Sequence, residues 1–342
     1  MADPRPTTGG DTPIVSVRDL KTYFRSDEGV VRAVDGVSFD VHAGRTLGIV
    51  GESGCGKSIT ARSILGIVDR PGRIEAGEIW LQRDNAAPLN LAALDPRGAE
   101  IRGIRGKDIA LVFQEPMASF SLHYTIGNQI AEAILLHNPV SRAEARNRTI
   151  ELLRSVGVPR PERRVDEYPF QLSGGLRQRV MIAMALACSP RVLIADEPTT
   201  ALDVTTQAQI LDLLRDLLAR QGLALILITH DMGVIAEMAD DVVVMYLGRA
   251  VEKGPVDEIF HAPKHPYTRA LLRSIPSILA RPRSKLATIS GSIPHPFARP
   301  AGCAYHPRCT EFVAGTCDRA EPAPHISGKD RQVTCFLYGG AA

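Results

Sequence analysis

The sequence has no apolar run long enough to cross a bilayer. Its longest unbroken stretches, Val180–Cys188 and Leu223–Ile228, fall far short of the ~20 residues a helical span requires. It has no signal-like start either. Met1–Pro13 is polar, rich in Pro and Gly, and without an apolar core, which predicts a disordered tail rather than a secretory leader. A broad basic excess is also missing: 40 Lys and Arg against 38 Asp and Glu leave a net charge of +2, so no nucleic-acid partner is expected. These exclusions predict a cytosolic protein, held at a membrane only through other subunits. Disulfides are not expected there among the six cysteines. The rest of the composition, 44% hydrophobic and 23% charged over 342 residues, is that of a globular chain with room for one large unit and one small.

The first strong pattern is Gly51-Glu52-Ser53-Gly54-Cys55-Gly56-Lys57-Ser58. A short apolar strand, Thr46–Val50, runs into it, and an apolar helix, Ile59–Val68, follows. That is the setting a phosphate-binding P-loop requires. The glycines let successive N–H groups curve round phosphates, Lys57 reaches the terminal ones, and Ser58 is placed to ligate magnesium. Cys55 serves as a small residue between glycines.

The second is Leu172–Asp203, LSGGLRQRVMIAMALACSPRVLIADEPTTALD. Ser173, Gly174 and Gly175 open a helix, whose N-terminus suits an anion. A buried strand then ends on two carboxylates, Asp196 and Glu197, a pairing suited to a metal and a water. Phosphate-binding and water-activating parts together point to nucleotide hydrolysis.

Around these, Ile14–Leu20, Val37–Val41, Ile74–Leu81, Asp108–Phe113, Leu223–Thr229, Asp241–Tyr246 and Gly248–Gly254 read as strands. Ile126–Leu136, Ser141–Val156 and Thr205–Gln221 have helical spacing, with Ser141 and Glu144 forming a capping box. Pro255–Phe260 and Tyr267–Ile275 supply short helices. The α/β pattern is interrupted from Gln114 to Leu172 by a largely helical insert. Gln114 and His230 each follow a buried strand, where a loop residue could meet a γ-phosphate. Tyr23 and Phe24 read either as core or as a stacking platform for a base.

With Gly51–Ser58, Gln114, Leu172–Arg179, Leu193–Glu197, Ala201–Asp203 and His230 in this order, the chain resembles an ATP-binding cassette (ABC) ATPase. VFQEPMASF, ADEPTTALDVTTQAQI and HPYTRALL are similar to one ATPase subunit of oligopeptide/dipeptide uptake transporters. Two departures stand out: Leu176, where many cassettes carry Gln, and SFSLHY in place of the usual Asn-Pro. The resemblance implies an α/β fold: an ABC-type P-loop core at 14–262 with an antiparallel β subdomain, a helical subdomain at about 115–188, and a C-terminal extension at 263–342. It implies ATP and magnesium bound by Gly51, Ser53, Gly54, Cys55, Gly56, Lys57, Ser58 and Ile59. Asp196, Ser58 and Gln114 would serve the magnesium, Glu197 the attacking water, and His230 the γ-phosphate, with Phe24 favoured over Tyr23 at the base. Ser173, Gly174, Gly175 and Asp203 would close over ATP held by a second cassette, one the subfamily suggests is a paralogue. Further partners implied are two transmembrane permease subunits and an extracytoplasmic solute-binding protein. The chain itself would sit on the cytoplasmic face of the membrane, energising uptake of di- or oligopeptides, nickel or another small solute. A non-transport ABC ATPase is the alternative of another class.

Four of the cysteines, Cys303, Cys309, Cys317 and Cys335, fall in the extension. Scattered structural thiols, a zinc site aided by His306, and a [4Fe–4S] cluster are all compatible with their spacing. Resemblance to the subfamily favours the cluster, as a staple for a region poor in core.

Overall fold

A computed structural model describes residues 12–83, 86–275, 288–328 and 330–339. All of the expected tail except Thr12 and Pro13 lies outside the described residues. Twelve strands are described: β1 (Val15–Ser26), β2 (Gly29–Val41), β3 (Thr46–Val50), β4 (Gly72–Leu81), β5 (Leu89–Asn90), β6 (Ile109–Val112), β7 (Val192–Asp196), β8 (Ala224–Ile228), β9 (Asp241–Tyr246), β10 (Arg249–Pro255), β11 (His325–Ile326) and β12 (Gln332–Val333).

They form two sheets. One has the order β2-β1-β4-β5 and is antiparallel throughout. The other runs β11-β12-β10-β9-β3-β8-β7-β6. Its middle, β9-β3-β8-β7-β6, is parallel, and β10, β12 and β11 add to one edge in antiparallel fashion. The parallel strands are apolar along nearly their whole length because both faces are covered. Alternation still sorts them: Leu193 and Ala195 pack on one side with the helical insert. Val192 and Ile194 pack on the other with the antiparallel sheet.

The insert between β6 and β7 carries helices Pro116–Ser119, Ile126–His137, Arg142–Ser155, Pro161–Arg164 and Gly174–Ala185. Only half of the expected capping box forms. Ser141 Oγ accepts from the Glu144 N–H at 3.1 Å, but the Glu144 carboxylate turns to Arg148 Nε at 2.8 Å. Among the described residues no helix is long and apolar enough to cross a membrane.

The extension does not stand apart. Its short hairpin β11–β12 continues the central sheet beyond β10, and three aromatic side chains lock it to the core. Tyr246, Tyr267 and Tyr305 meet with ring centroids 4.7, 5.2 and 5.3 Å apart, all three buried. The buried Arg331 guanidinium adds an ion pair to Glu252 of β10 at 2.8 Å.

Candidate nucleotide site

The order β3-β8-β7-β6 brings together residues that are far apart in the chain. The P-loop follows β3, His230 follows β8, Asp196 ends β7 with Glu197 next after it, and Gln114 follows β6. All emerge at the carboxyl ends of adjacent parallel strands, where α/β sheets bind ligands.

The P-loop glycines are fixed by space and conformation. Gly51 has φ +150, and a Cβ there would lie 2.2 Å from the Met245 carbonyl oxygen. Gly56 has φ +103, and its Cβ would lie 2.1 Å from the Ala33 carbonyl oxygen. Only glycine permits both conditions. Lys57 is buried, its Nζ donating to the carbonyls of Gly51 at 2.7 Å and Glu52 at 3.2 Å. The conformation of the loop is also held from outside. Glu52 N–H donates to the Tyr267 hydroxyl at 2.9 Å. The Glu52 carboxylate receives both ends of Arg308, at 2.7 and 3.0 Å. His265-Pro266-Tyr267 is thereby explained: His265 caps a helix through the Tyr267 N–H, Pro266 occupies its first turn, and Tyr267 reaches the P-loop.

Ser58 Oγ donates to Asp196 Oδ1 at 3.0 Å. Burial raises the Asp196 pKa, with neighbouring Glu197 adding to the rise and the Ser58 hydrogen bond opposing it. A buried carboxylate beside a hydroxyl is an oxygen donor set that fits magnesium.

Glu197 stands at φ +47, an uncommon backbone conformation for a side chain of this size. Its carboxylate accepts from Gln114 Nε2 at 2.9 Å and Thr200 Oγ1 at 2.9 Å, and His230 Nδ1 lies 3.3 Å away. Gln114, His230 and Glu197 thus meet in one cluster. Thr200 was not singled out from the sequence, although it stands three residues beyond the carboxylate.

Ser53, Gly54, Gly56, Lys57, Ser58, Ile59, Gln114 and Glu197 line a cavity of about 510 Å³, within the range of small-molecule sites. Its remaining walls come from Val30–Ala33 of β2, from Leu247 and Gly248, and from the extension at His295–Gly302 and Glu321. Tyr23 and Phe24 do not line it. The Tyr23 hydroxyl donates to buried Asp35 at 2.6 Å, and its own pKa is pushed up to about 12, mainly by burial. Phe24 packs on Gly72, where a Cβ would lie 2.5 Å from the ring. Register shifts in the β1–β2 pairing, one of them between Thr22 and Tyr23, accompany these side-chain placements.

Ser173, Gly174, Gly175 and Asp203 also stand outside this cavity. Ser173 is exposed and caps the helix Gly174–Ala185 through the Leu176 N–H. Gly175 lies against Thr206, whose methyl a Cβ would approach to 2.8 Å. Asp203, exposed, caps the helix Val204–Gln221 through the N–H of that same Thr206 at 3.0 Å.

Cys303, Cys309, Cys317 and Cys335 are free thiols and line one small, largely apolar cavity together with His306. Burial pushes the Cys335 thiol up to about 11, and the other three thiols add to that rise. Among the described residues no group of three or more His, Cys, Asp or Glu side chains is placed to hold a metal ion. The zinc and iron–sulfur expectations thus find converging thiols without a preformed ligand group.

The ABC transporter family matches residues 34–200, and the C-terminal region of oligopeptide/dipeptide transporters matches residues 251–317. The dipeptide transport ATP-binding protein DppD of Haemophilus influenzae is 47% identical, covering 94% of each chain. DppD of Escherichia coli is 45% identical over 94% of this chain and 96% of its own length. Among solved structures, the dimeric ABC transporter cassette MJ0796 matches with a TM-score of 0.62 at 27% identity, covering 71% of this chain and 98% of its own. A second structure of that cassette, in a post-hydrolysis state with ADP and Pi, matches with the same score at 28% identity. With the P-loop, the paired carboxylates and the strand-end Gln and His assembled as described, this chain belongs to the ATP-binding proteins of the ABC transporter family.

Proposed function

We propose that this chain is the ATP-hydrolysing subunit of an importer for dipeptides or oligopeptides. Relatives named for dipeptide transport and peptide import, similar over nearly the whole length including the extension, support the substrate class. The single observation that carries the chemistry is the Glu197 carboxylate, oriented by Gln114, Thr200 and His230.

In this reading Lys57 and the P-loop N–H groups hold the β- and γ-phosphates. Ser58 and Asp196 would hold magnesium, which when bound neutralises charge on the phosphate oxygens. Glu197 accepts a proton from water as the water oxygen bonds to the γ-phosphorus. The bond from that phosphorus to the β,γ-bridging oxygen breaks, and ADP leaves with its electron pair. Gln114 and His230 fix the carboxylate and the water. Such catalysis is mainly positioning and electrostatics. Glu197→Gln should leave ATP binding intact and cut turnover in the assembled complex by about 100-fold or more. Near-normal turnover would remove Glu197 from this role.

Ser173, Gly174, Gly175 and Asp203, outside the chain's own cavity, are read as closing on ATP held by a second cassette, which we take to be a paralogue. Two permease subunits would then hold the pair on the cytoplasmic face of the membrane, with a solute-binding protein delivering peptide from the other side.

A [4Fe–4S] cluster on Cys303, Cys309, Cys317 and Cys335 is part of this reading on one ground: four unpaired thiols line one cavity. Iron and sulfide with a broad visible absorption after anaerobic purification would support it. Stoichiometric zinc without iron would replace it.

A further inference from the structure

The two sheets meet at their edges, and the seam holds a cleft that the hydrolysis chemistry does not use. β2 is an outer strand of the antiparallel sheet. It meets the start of β10 where the Asp35 N–H donates to the Gly248 carbonyl at 2.7 Å. Beside that contact lies a cavity of about 620 Å³, walled by β1, β2, β10 and β12 and by Pro322 and Pro324 of the extension. Among the described residues it shares only Arg32 and Glu321 with the nucleotide cavity, and no P-loop residue lines it.

The charges of this cleft do not balance. Four carboxylates line it, and each already has a cation. Asp19 pairs with Lys21 at 3.0 Å, and Glu252 with Arg331 at 2.8 Å. Asp35 is held by Arg249 at 2.9 Å and Arg299 at 2.7 Å, and Glu321 by Arg249 at 2.6 Å. Two lining cations are left over, Arg32 of β2 and Lys253 of β10, neither in an ion pair among the described residues. Arg32 lies over the Tyr23 ring, 5.7 Å from the centroid. Lys253 Nζ donates to the Ser38 carbonyl at 3.4 Å, a long bond for an ammonium. Asp40, whose charge favours that ammonium, is itself paired with Arg18 at 2.6 Å. Lys253 is half-buried, and burial lowers its pKa, as expected of a cation short of both water and a partner.

We infer that this cleft is a second ligand site, which takes a small multivalent anion bearing phosphate or carboxylate groups at Arg32 and Lys253. Each cation would gain a charge-assisted hydrogen bond that the protein does not give it. Arg32 offers a planar fork suited to either oxyanion, and Lys253 a compact point charge. Free cations on two separate strands call for a ligand with more than one acidic group. The four carboxylates, each matched by a cation of its own, repel such a ligand far less than free acids would. The inference stands apart from the nucleotide reading, since no P-loop residue takes part.

The test uses the purified full chain with ADP in excess, so that the P-loop is occupied. Magnesium is left out because the probes, inorganic pyrophosphate and citrate, would chelate it. Titrated by calorimetry, at least one probe should bind at a single site per chain, and more weakly as salt is added. Lys253→Gln should weaken that binding by about tenfold to a hundredfold, the range for one hydrogen bond to a charged group, and leave ADP affinity unchanged. Lys253→Arg keeps the charge and should retain most of the affinity. Arg32→Gln, at an exposed position, should weaken the probe likewise, and it decides the matter should Lys253→Gln fail to fold. Whichever probe binds in this way tells phosphate from carboxylate. Binding of neither probe, or wild-type affinity in both Gln variants, would overturn the inference. Loss of ADP and probe together in Lys253→Gln would overturn it too, by placing the probe at the P-loop.

Discussion

Replacing Arg308 with Met removes a charged side chain of the extension that grips the P-loop. The Arg308 side chain is 3% exposed and its partner Glu52 22% exposed. The guanidinium donates twice to Glu52, at 2.7 and 3.0 Å, and once to the Ser290 carbonyl at 3.0 Å. It also lies over the Tyr246 ring, 5.8 Å from the centroid. Removing one member of a fully buried ion pair costs about 3–5 kcal/mol. Water can still reach Glu52, which brings the cost to the bottom of that range or below it, and Arg308→Met should cost about 2–3 kcal/mol. In a chain of this size each kcal/mol moves the melting temperature by about 2 °C, which gives a fall of about 4–6 °C by calorimetry or dye-based melting. ATP affinity should fall as well, because the pair holds the backbone of the P-loop. A double-mutant cycle with Glu52→Gln isolates the pair from the lost packing of the Arg stem. A melting temperature within about 1 °C of wild type, or a cycle that is simply additive, would refute the claim that the extension braces the P-loop through this contact.

Two further predictions follow from buried geometry. Burial pushes His265 down to about 3, with Arg269 adding to the fall, so the folded chain keeps it neutral while the unfolded chain protonates it near 6.5. A depressed histidine loses stability as pH drops from about 6.5 toward the folded value, and pH 5 should cost about 2 kcal/mol relative to pH 7. His265→Asn retains a capping acceptor and should flatten that slope in chemical denaturation, whereas an unchanged slope would contradict it. Gly56→Ala should abolish ATP binding, because φ +103 and a Cβ 2.1 Å from the Ala33 carbonyl oxygen cannot both be met. Gly54→Ala, with nothing within 4 Å of its Cβ, should bind more weakly than wild type yet measurably. Equal ATP binding by the two variants in calorimetry would show that close approach does not fix the loop.

The parts of this molecule that were legible in the sequence are those whose chemistry is local. The P-loop announces itself because glycine, lysine and serine must sit at fixed spacing between a strand and a helix. Asp196 and Glu197 announce themselves at the end of a wholly apolar strand. Gln114 and His230 are weak signals singly and gain meaning only from the strand order, which puts both beside Glu197. Thr200 carried no signal beyond proximity. Tyr23 and Phe24 show how little a local reading settles at a strand end. An aromatic pair at a strand end looks the same whether its rings meet a ligand, a buried aspartate or a glycine. Arg308, Tyr267 and Phe297 act on the P-loop or its cavity from the extension, and no local pattern reveals contacts across such separations. The hairpin β11–β12 is short and polar enough to read as loop, and only the free edge of β10 makes it a strand.

In the proposed reading this chain holds half of each of two ATP sites, and its Ser173–Gly175 helix start stands outside its own nucleotide cavity. The most direct measurement is ATP turnover per chain as a function of concentration, first for the purified chain and then with the second cassette and permease subunits added. Turnover should be negligible when the chain is dilute and alone, with a rise far steeper than proportional on pairing. Full turnover from a dilute monomer, unchanged by concentration or partner, would contradict it.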